Sequence, residues 1–354
     1  MYYGVEVDML SVGSADCIIA TSWNGFVATR VLIDGGNKGD IDTLLGYLAR
    51  NHITYFDAIV STHHHDDHAA GLLELINNHR GIGIGKAYVH IPQNHVDMAR
   101  VQLALKLAGN STEADTIRKS LDTARSIVKA LTARGIPIVE PFEGTQIEFL
   151  TVVGPSETYY EELVSEFTDA DTIKKIDQDD VNYTLWSAIH DHINITGVID
   201  TELPDKPVTT PENNSSAILA TAMAGAKFLF TSDAGVPALQ HASEAYDLKN
   251  CYWVQIPHHG SRRNINPALI AVFAPQVAFV SAEGTVKHPR RAVVNAFKQV
   301  GTRVYSTHYP VSTNMWQSYG TVPGRLGYTS LVPLYDKETT LPLGSWASIL
   351  SKTR

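Results

Sequence analysis

Residues 61–71 read Ser-Thr-His-His-His-Asp-Asp-His-Ala-Ala-Gly, so four histidines and two aspartates fill the six positions from His63 to His68. The run DAIVST (57–62) before them is short and apolar, as a buried strand requires. AAGLLELINNH after them carries apolar residues at helical spacing. The chain therefore leaves a strand, passes through the polar cluster and enters a helix. Side chains alternate faces in extended backbone, so His63 and His65 point together and His64 points away. Asp67 and His68 follow as the helix begins. This HxHxDH pattern offers two imidazoles to one ion and a carboxylate plus an imidazole to a second, a donor set that suits zinc, manganese or iron.

Outward from the cluster, residues 1–33 read as three strands in an antiparallel start, with VATRVLIDGG ending in a glycine pair. IDTLLGYLARNHI (41–53) has helical spacing, and KAYVHIP (86–92) is a further strand. Residues 95–135 read as two helices joined near Gly109-Asn110-Ser111. Residues 156–212 carry fourteen acidic and three basic side chains and read as a solvated insertion. Strands return with SSAILATAM, AKFLFTSDAG and CYWVQIPHHGS, then QVAFVSAEG and TRVYSTHY, with helices PALIAVFA and RRAVVNAFKQV between them. Two β-rich halves, each with flanking helices, imply helix layers on both faces of a two-sheet core, an αββα sandwich.

The His63-x-His65-x-Asp67-His68 run resembles the signature of the metallo-β-lactamase fold superfamily. Leu32-Ile33-Asp34-Gly35-Gly36 resembles its early strand-end aspartate, Phe228 to Asp233 its metal-bridging aspartate, and Pro257-His258-His259-Gly260-Ser261 its later histidine motif. Ser11 to Asp16 is similar to a diverged DVGQGD. With Asn213-Asn214-Ser215-Ser216, PHHGS and Lys287-His288-Pro289, it resembles the hydrolase domain of ComEC-like, DNA-internalisation-related proteins. Serine replaces the usual glycine at Ser232, and no histidine between His68 and Asp233 has the usual context of a third motif; His90, His95, His190 and His192 lie there.

The resemblance implies an α+β, four-layer metallo-β-lactamase domain over 1–310. It would carry a helical insertion near 93–136, the acidic insertion near 156–212, and a C-terminal extension at 311–354. It implies two divalent ions, Zn or Mn. His63, His65, Asp67, His68, Asp233 and His259 are the ligands, with Asp233 able to bridge. Asp34, Asn214 and Ser216 would support the ligands from behind. Two such ions acidify water towards neutrality. Asp67 would orient that water, and His288 would protonate the leaving group.

Net charge is −9 and pI about 5.9, so no global basic field advertises nucleic-acid binding. Cations nevertheless flank the site motifs. Arg262, Arg263, Lys287, Arg290 and Arg291, with Ser261 and His258, are candidate contacts for an anionic substrate. The leading expectation is a phosphodiesterase or nuclease acting on DNA or another nucleic acid. An acyl hydrolase on lactone, thioester or β-lactam is the first alternative. A non-catalytic module with a structural metal is the second, its partner or a second copy meeting the helical pair. No basic-plus-apolar leader and no run near the ~18 apolar residues of a membrane span is present, which implies a soluble, cytoplasmic protein.

Overall fold

Strands β1 (Tyr2–Met9), β2 (Ile18–Gly25) and β3 (Val27–Ile33) form an antiparallel meander in the computed structural model of the chain. The structure describes residues 1–95, 97, 106, 112–166, 203–284, 288–324, 328 and 330–334. Strands β4 (Tyr55–Ser61), β5 (Gly83–Val89) and β6 (Ile138–Val139) continue the sheet in parallel, and β14 (Met315–Thr321) closes its other edge against β1. Its order is β14-β1-β2-β3-β4-β5-β6. The second sheet is built alike. Strands β7 (Gln146–Ile147), β8 (Leu150–Gly154), β9 (Ile218–Met223) and β10 (Ala226–Phe230) run antiparallel. Strands β11 (Trp253–Gln255), β12 (Val277–Val280) and β13 (Arg303–Ser306) extend it in parallel from β10.

Three apolar layers show how the sheets stack. Val5, Val7, Met9, Val31 and Val60 of the first sheet meet Val152, Leu219, Phe228, Phe230, Trp253 and Phe279 of the second. Trp253 packs its ring 5.0 Å from Phe230 and edge-on to Phe279 at 5.7 Å. Each large side chain so buried contributes about 1.5–3 kcal/mol. On β4 the alternate residue Ile59 faces the opposite way, into a layer with Leu32, Leu44, Leu72, Leu75 and Leu131. That layer is roofed by α1 (Ile41–Arg50), α2 (Asp66–Asn78) and α3 (Thr112–Ala133). Buried on both faces, β4 reads as a continuous apolar run rather than an alternating one. Beyond α4 (Glu157–Glu166) and the single-turn α5 (Pro211–Asn214), helices α6 (Val236–Ala245), α7 (Pro267–Phe273) and α8 (Arg291–Gln299) cover the second sheet through Leu239, Phe273 and Phe297. The layers are helix, sheet, sheet, helix, as the strand pattern implies.

Strand β14 lies past residue 310, where the sequence reading ends the domain, and pairs Val5 with Tyr319 and Met9 with Met315. Its partner β1 has two buried carboxylates, Glu6 and Asp8, on the face opposite Val5 and Val7. Glu6 is fully buried and accepts from Trp23 Nε1 at 2.7 Å and Trp316 Nε1 at 2.9 Å. That tie gives the C-terminal strand a reason to return that no local signal in its sequence announces. Of the expected helical pair, the second member is α3. The first lies largely outside the described residues, as do most of the acidic segment, with His190 and His192, and the chain beyond 334. Among the described residues no helix is long and apolar enough to cross a membrane.

Cys17 and Cys251 are fully buried and unpaired. Burial pushes the Cys251 thiol up to about 12 and the Cys17 thiol well above its ordinary value. Raised values keep both protonated at pH 8, and the thiolate is the reactive form. Titration with an aromatic disulfide reagent at pH 8 is therefore expected to find no thiol in the native protein and two after denaturation.

Candidate metal centre

The cluster forms where strands of both sheets end. β4 delivers Thr62 to His65 into the first turn of α2, which starts at Asp66. β3 is followed directly by Asp34, β10 within three residues by Asp233, and β11 within four by His258 and His259. Carboxyl ends of parallel strands are where open α/β sheets gather ligand sites. Here both sheets contribute, so segments some 200 residues apart converge. His63 and His68 have ring centroids 4.2 Å apart, His63 and His65 4.7 Å, and His68 and His259 5.6 Å.

The imidazoles are oriented by what holds their Nδ1 atoms. His68 Nδ1 donates to Asp34 Oδ2 at 2.9 Å, and His259 Nδ1 donates to the Ser281 carbonyl at 3.0 Å. Asp34 itself, in the left-handed region at φ 56, accepts from the Thr62 amide at 2.8 Å and the Thr62 hydroxyl at 2.6 Å. With its one proton committed to Asp34, Thr62 Oγ1 accepts from Ser232 Oγ at 2.6 Å. Ser232 thus keeps the left-handed turn (φ 47) that glycine would adopt at less cost, and links β10 to β4 through its hydroxyl. Fixing one ring nitrogen as donor leaves the other as a lone pair facing inward, the usual way a ligating histidine is tuned.

Asp67 and Asp16 face the same rings from opposite sides. Asp67 Oδ2 lies 3.4 Å from His259 Nε2 and 3.9 Å from His68 Nε2. Asp16 lies 3.7 Å from His68 Nδ1 and 3.9 Å from His259 Nδ1, and accepts from Gln255 Nε2 at 2.7 Å. Asp67 therefore shares the inward space, and Asp16 stands behind. Asp233 is 1% exposed; its Oδ1 is 3.3 Å from His68 Nε2 and its Oδ2 3.9 Å from His63 Nε2. Burial pushes the Asp16 carboxyl up to about 6. At Asp233 burial acts in the same direction, but His258, His68 and His259 override it and hold the carboxyl well below its usual range. Burial drives His63 well below its ordinary value, whereas carboxylates outweigh burial at His259 and raise it to about 9.

Two groups could each hold a cation, His63 with His65 and Asp233, and Asp67 with His68 and His259. The ligand atoms of each lie within 4.8 Å of one another, as do those of a third group, Asp16 with His68 and Asp233. The fit of divalent ions rests on what these atoms lack. Nε2 of His63, His65, His68 and His259 and Oδ1 of Asp233 are all buried without a hydrogen-bond partner. Asp16, Asp34, Asp67 and Asp233 converge, and among the described residues their only ion-pair partners are histidines. Buried polar atoms normally find partners and buried charges find counter-charges, so the arrangement calls for positive charge at its centre.

Other expected residues fall differently. His288 is close, its ring centroid 5.6 Å from that of His258 and 6.1 Å from that of His259. Arg262 is a correction. Its side chain is fully buried, because the chain turns inward after Gly260, so it does not present a cation to substrate. Arg263 is partly exposed and donates Nε to the Val208 carbonyl at 2.7 Å; Ser261, nearly buried, accepts from the Arg263 amide at 3.2 Å. Arg290 and Arg291 are partly exposed, and Lys287 lies outside the described residues. Asn214 and Ser216 are buried but touch no ligand through a hydrogen bond; Asn214 packs on Gly235. Their place is taken by Asn213 and Asn264, both against His258. Asp16, Thr62, Asn213, Asn264 and Gln255 were not predicted as site residues. Asp16 and Asn213 had a signal, as the last residue of SVGSAD and the first of the Asn-Asn-Ser-Ser run.

No protein-family profile and no curated protein matches the chain. Solved structures give distant likenesses. The metallo-beta-lactamase fold protein YhfI from Bacillus subtilis aligns at 9% identity over 89% of this chain and 100% of its own, with a TM-score of 0.43. A diphosphatase from the PhnP family aligns at 10% identity over 91% and 99%, TM-score 0.38. AidC, a dizinc quorum-quenching lactonase, aligns at 11% identity over 90% and 79%, TM-score 0.36. On its own architecture, two sheets between helical layers with the His/Asp motifs at their strand ends, the chain has the metallo-β-lactamase fold.

Proposed function

We propose that the protein is a metal-dependent hydrolase with a two-cation centre. The observation that carries this is the set of five buried, partnerless ligand atoms surrounded by four carboxylates. His63, His65 and Asp233 would hold one ion, and Asp67, His68 and His259 the other. When bound, two divalent ions supply an acidified water and positive charge for the attacked centre. The protein's own groups do the rest. Asp34 and the Ser281 carbonyl hold the rings of His68 and His259 in register. Asp67, one-third exposed where His63, His68, Asp233 and His259 are buried, would orient the attacking water from the open side. His288, whose ring lies beside the pair His258–His259, would protonate the leaving oxygen.

The substrate reading is a phosphodiester, with nucleic acid as the leading case. It is supported by the ComEC-like motifs and by Arg263, Arg290 and Arg291, partly exposed in the segments that carry His259 and His288. The burial of Arg262 removes one expected cation and favours a second reading, an uncharged ester, thioester or lactam. Plasmid DNA, bis-p-nitrophenyl phosphate, a p-nitrophenyl ester and nitrocefin, each assayed with zinc and with manganese, separate these. Turnover of the first two is expected. Turnover of an acyl substrate alone moves the reading to the second, and a metal-loaded protein inert on all four overturns the phosphodiester reading.

A further inference from the structure

The two candidate cation sites are unequal. Asp233 presents Oδ1 towards His68 and Oδ2 towards His63, so it can serve both. Counted with it, the Asp67–His68–His259 group offers four protein ligands, whereas His63 and His65 with Asp233 offer three. A nitrogen is at hand for the second. His258 Nε2 lies 3.6 Å from Asp233 Oδ2, the same oxygen that His63 faces. Resting on the two-cation reading above, we propose that His258 is the fourth ligand of the His63–His65 site, so that adjacent histidines of one loop serve different ions.

Three observations on the loop support this. First, the ring is held at Nδ1. Asn264 Nδ2 donates to the Asp233 carbonyl at 2.6 Å, which turns its Oδ1 to accept from His258 Nδ1 at 2.9 Å. Asn213 Nδ2 also lies 3.2 Å from that Nδ1, so two asparagines hold the ring at one nitrogen and leave Nε2 facing Asp233, and Asn264 fixes both His258 and the backbone of Asp233. Second, the backbone is strained in the direction needed. His258, His259 and Gly260 lie consecutively in the left-handed region, at φ 47, 53 and 82. For a non-glycine residue that conformation costs roughly 1–2 kcal/mol, and such strain concentrates at functional sites. The two neighbouring rings lie with centroids 5.8 Å apart and planes at 76°, His258 Nε2 facing Asp233 Oδ2 at 3.6 Å and His259 Nε2 facing Asp67 Oδ2 at 3.4 Å. Third, His90, the histidine beyond the cluster that follows β5, is turned elsewhere. The ring of His90 stacks on Tyr160 at 4.4 Å, and only its backbone carbonyl reaches His64, at 2.9 Å. His258 is 24% exposed where His63 is 1%, which puts it on the open side of its site.

The test loads the full-length protein with Co(II) and Zn(II). Equilibrium titration against a competing chelator is expected to show two ions bound by the wild type. His258→Ala should retain one with unchanged affinity and bind the other at least about tenfold more weakly. His258→Gln, which keeps the bulk, should do the same if the alanine variant does not fold. In the Co(II)-loaded wild type, proton NMR should show five shifted, exchangeable imidazole N–H signals, one for each ligating histidine. Wild-type affinity for both ions in either variant, or four such signals, overturns the role of His258 and leaves the two-cation reading standing. Failure of the wild type to bind two ions overturns both.

Discussion

Asp233→Asn is expected to lower hydrolysis by roughly three orders of magnitude while leaving the fold intact. The side chain is 1% exposed and makes no hydrogen bond through Oδ1, so the neutral amide fits the same space without stranding a structural partner. What is lost is the negative charge between the two groups of imidazoles, the element both cations would share. An amide nitrogen cannot ligate, so stoichiometry should fall together with kcat/KM. Steady-state kinetics on the substrate that turns over, with metal analysis of the same preparation, checks both. Activity within tenfold of wild type would remove Asp233 from the centre and take the shared-ligand geometry with it.

Gly71→Ala should fail by another route. A Cβ at Gly71 would fall on the Gly35 carbonyl oxygen, backbone against backbone, where no flexible side chain can yield. The close approach is held by hydrogen bonds from the Gly35 amide to His68 O and from the Gly71 amide to Gly36 O, each 2.8 Å. Forcing α2 away from the Asp34–Gly36 turn combines overpacking with loss of a buried hydrogen bond, about 3–4 kcal/mol together. For a domain of this size, Tm should fall by about 5 °C. Gly46→Ala is the matched control. Nothing lies within 4 Å of its added Cβ, and it sits exposed in α1, so the change should be neutral or stabilising by up to ~1 kcal/mol. Equal behaviour of the two variants in thermal melts would refute the argument from the turn.

How much of this could be read from the residues alone follows from where the information sits. HxHxDH, TSDAG and PHHG are short, and each is ordered by its own strand end, so the residues that converge on the candidate centre were legible as local motifs. The layer order was legible as well, because buried parallel strands such as β4 and amphipathic helices such as α8 carry their own periodicity. What escaped is non-local. Asn264 matters only because the chain folds it between His258 and Asp233, and an asparagine four residues past a motif looks like any other. Arg262 reads as a surface cation until the turn after Gly260 carries it inside. The final strand was missed because its reason for pairing, two tryptophans meeting Glu6, spans the whole chain.

The centre takes its side chains from both β-layers, His63 to His68 from one and Asp233 to His259 from the other. Should the proposed cations bind, they would rivet the halves together as well as serve chemistry, and folding would then draw on metal supply. At a free concentration a thousand times the dissociation constant, that linkage is worth about 4 kcal/mol. The same polypeptide would be robust in a metal-replete medium and measurably softer in a depleted one, with no change in sequence.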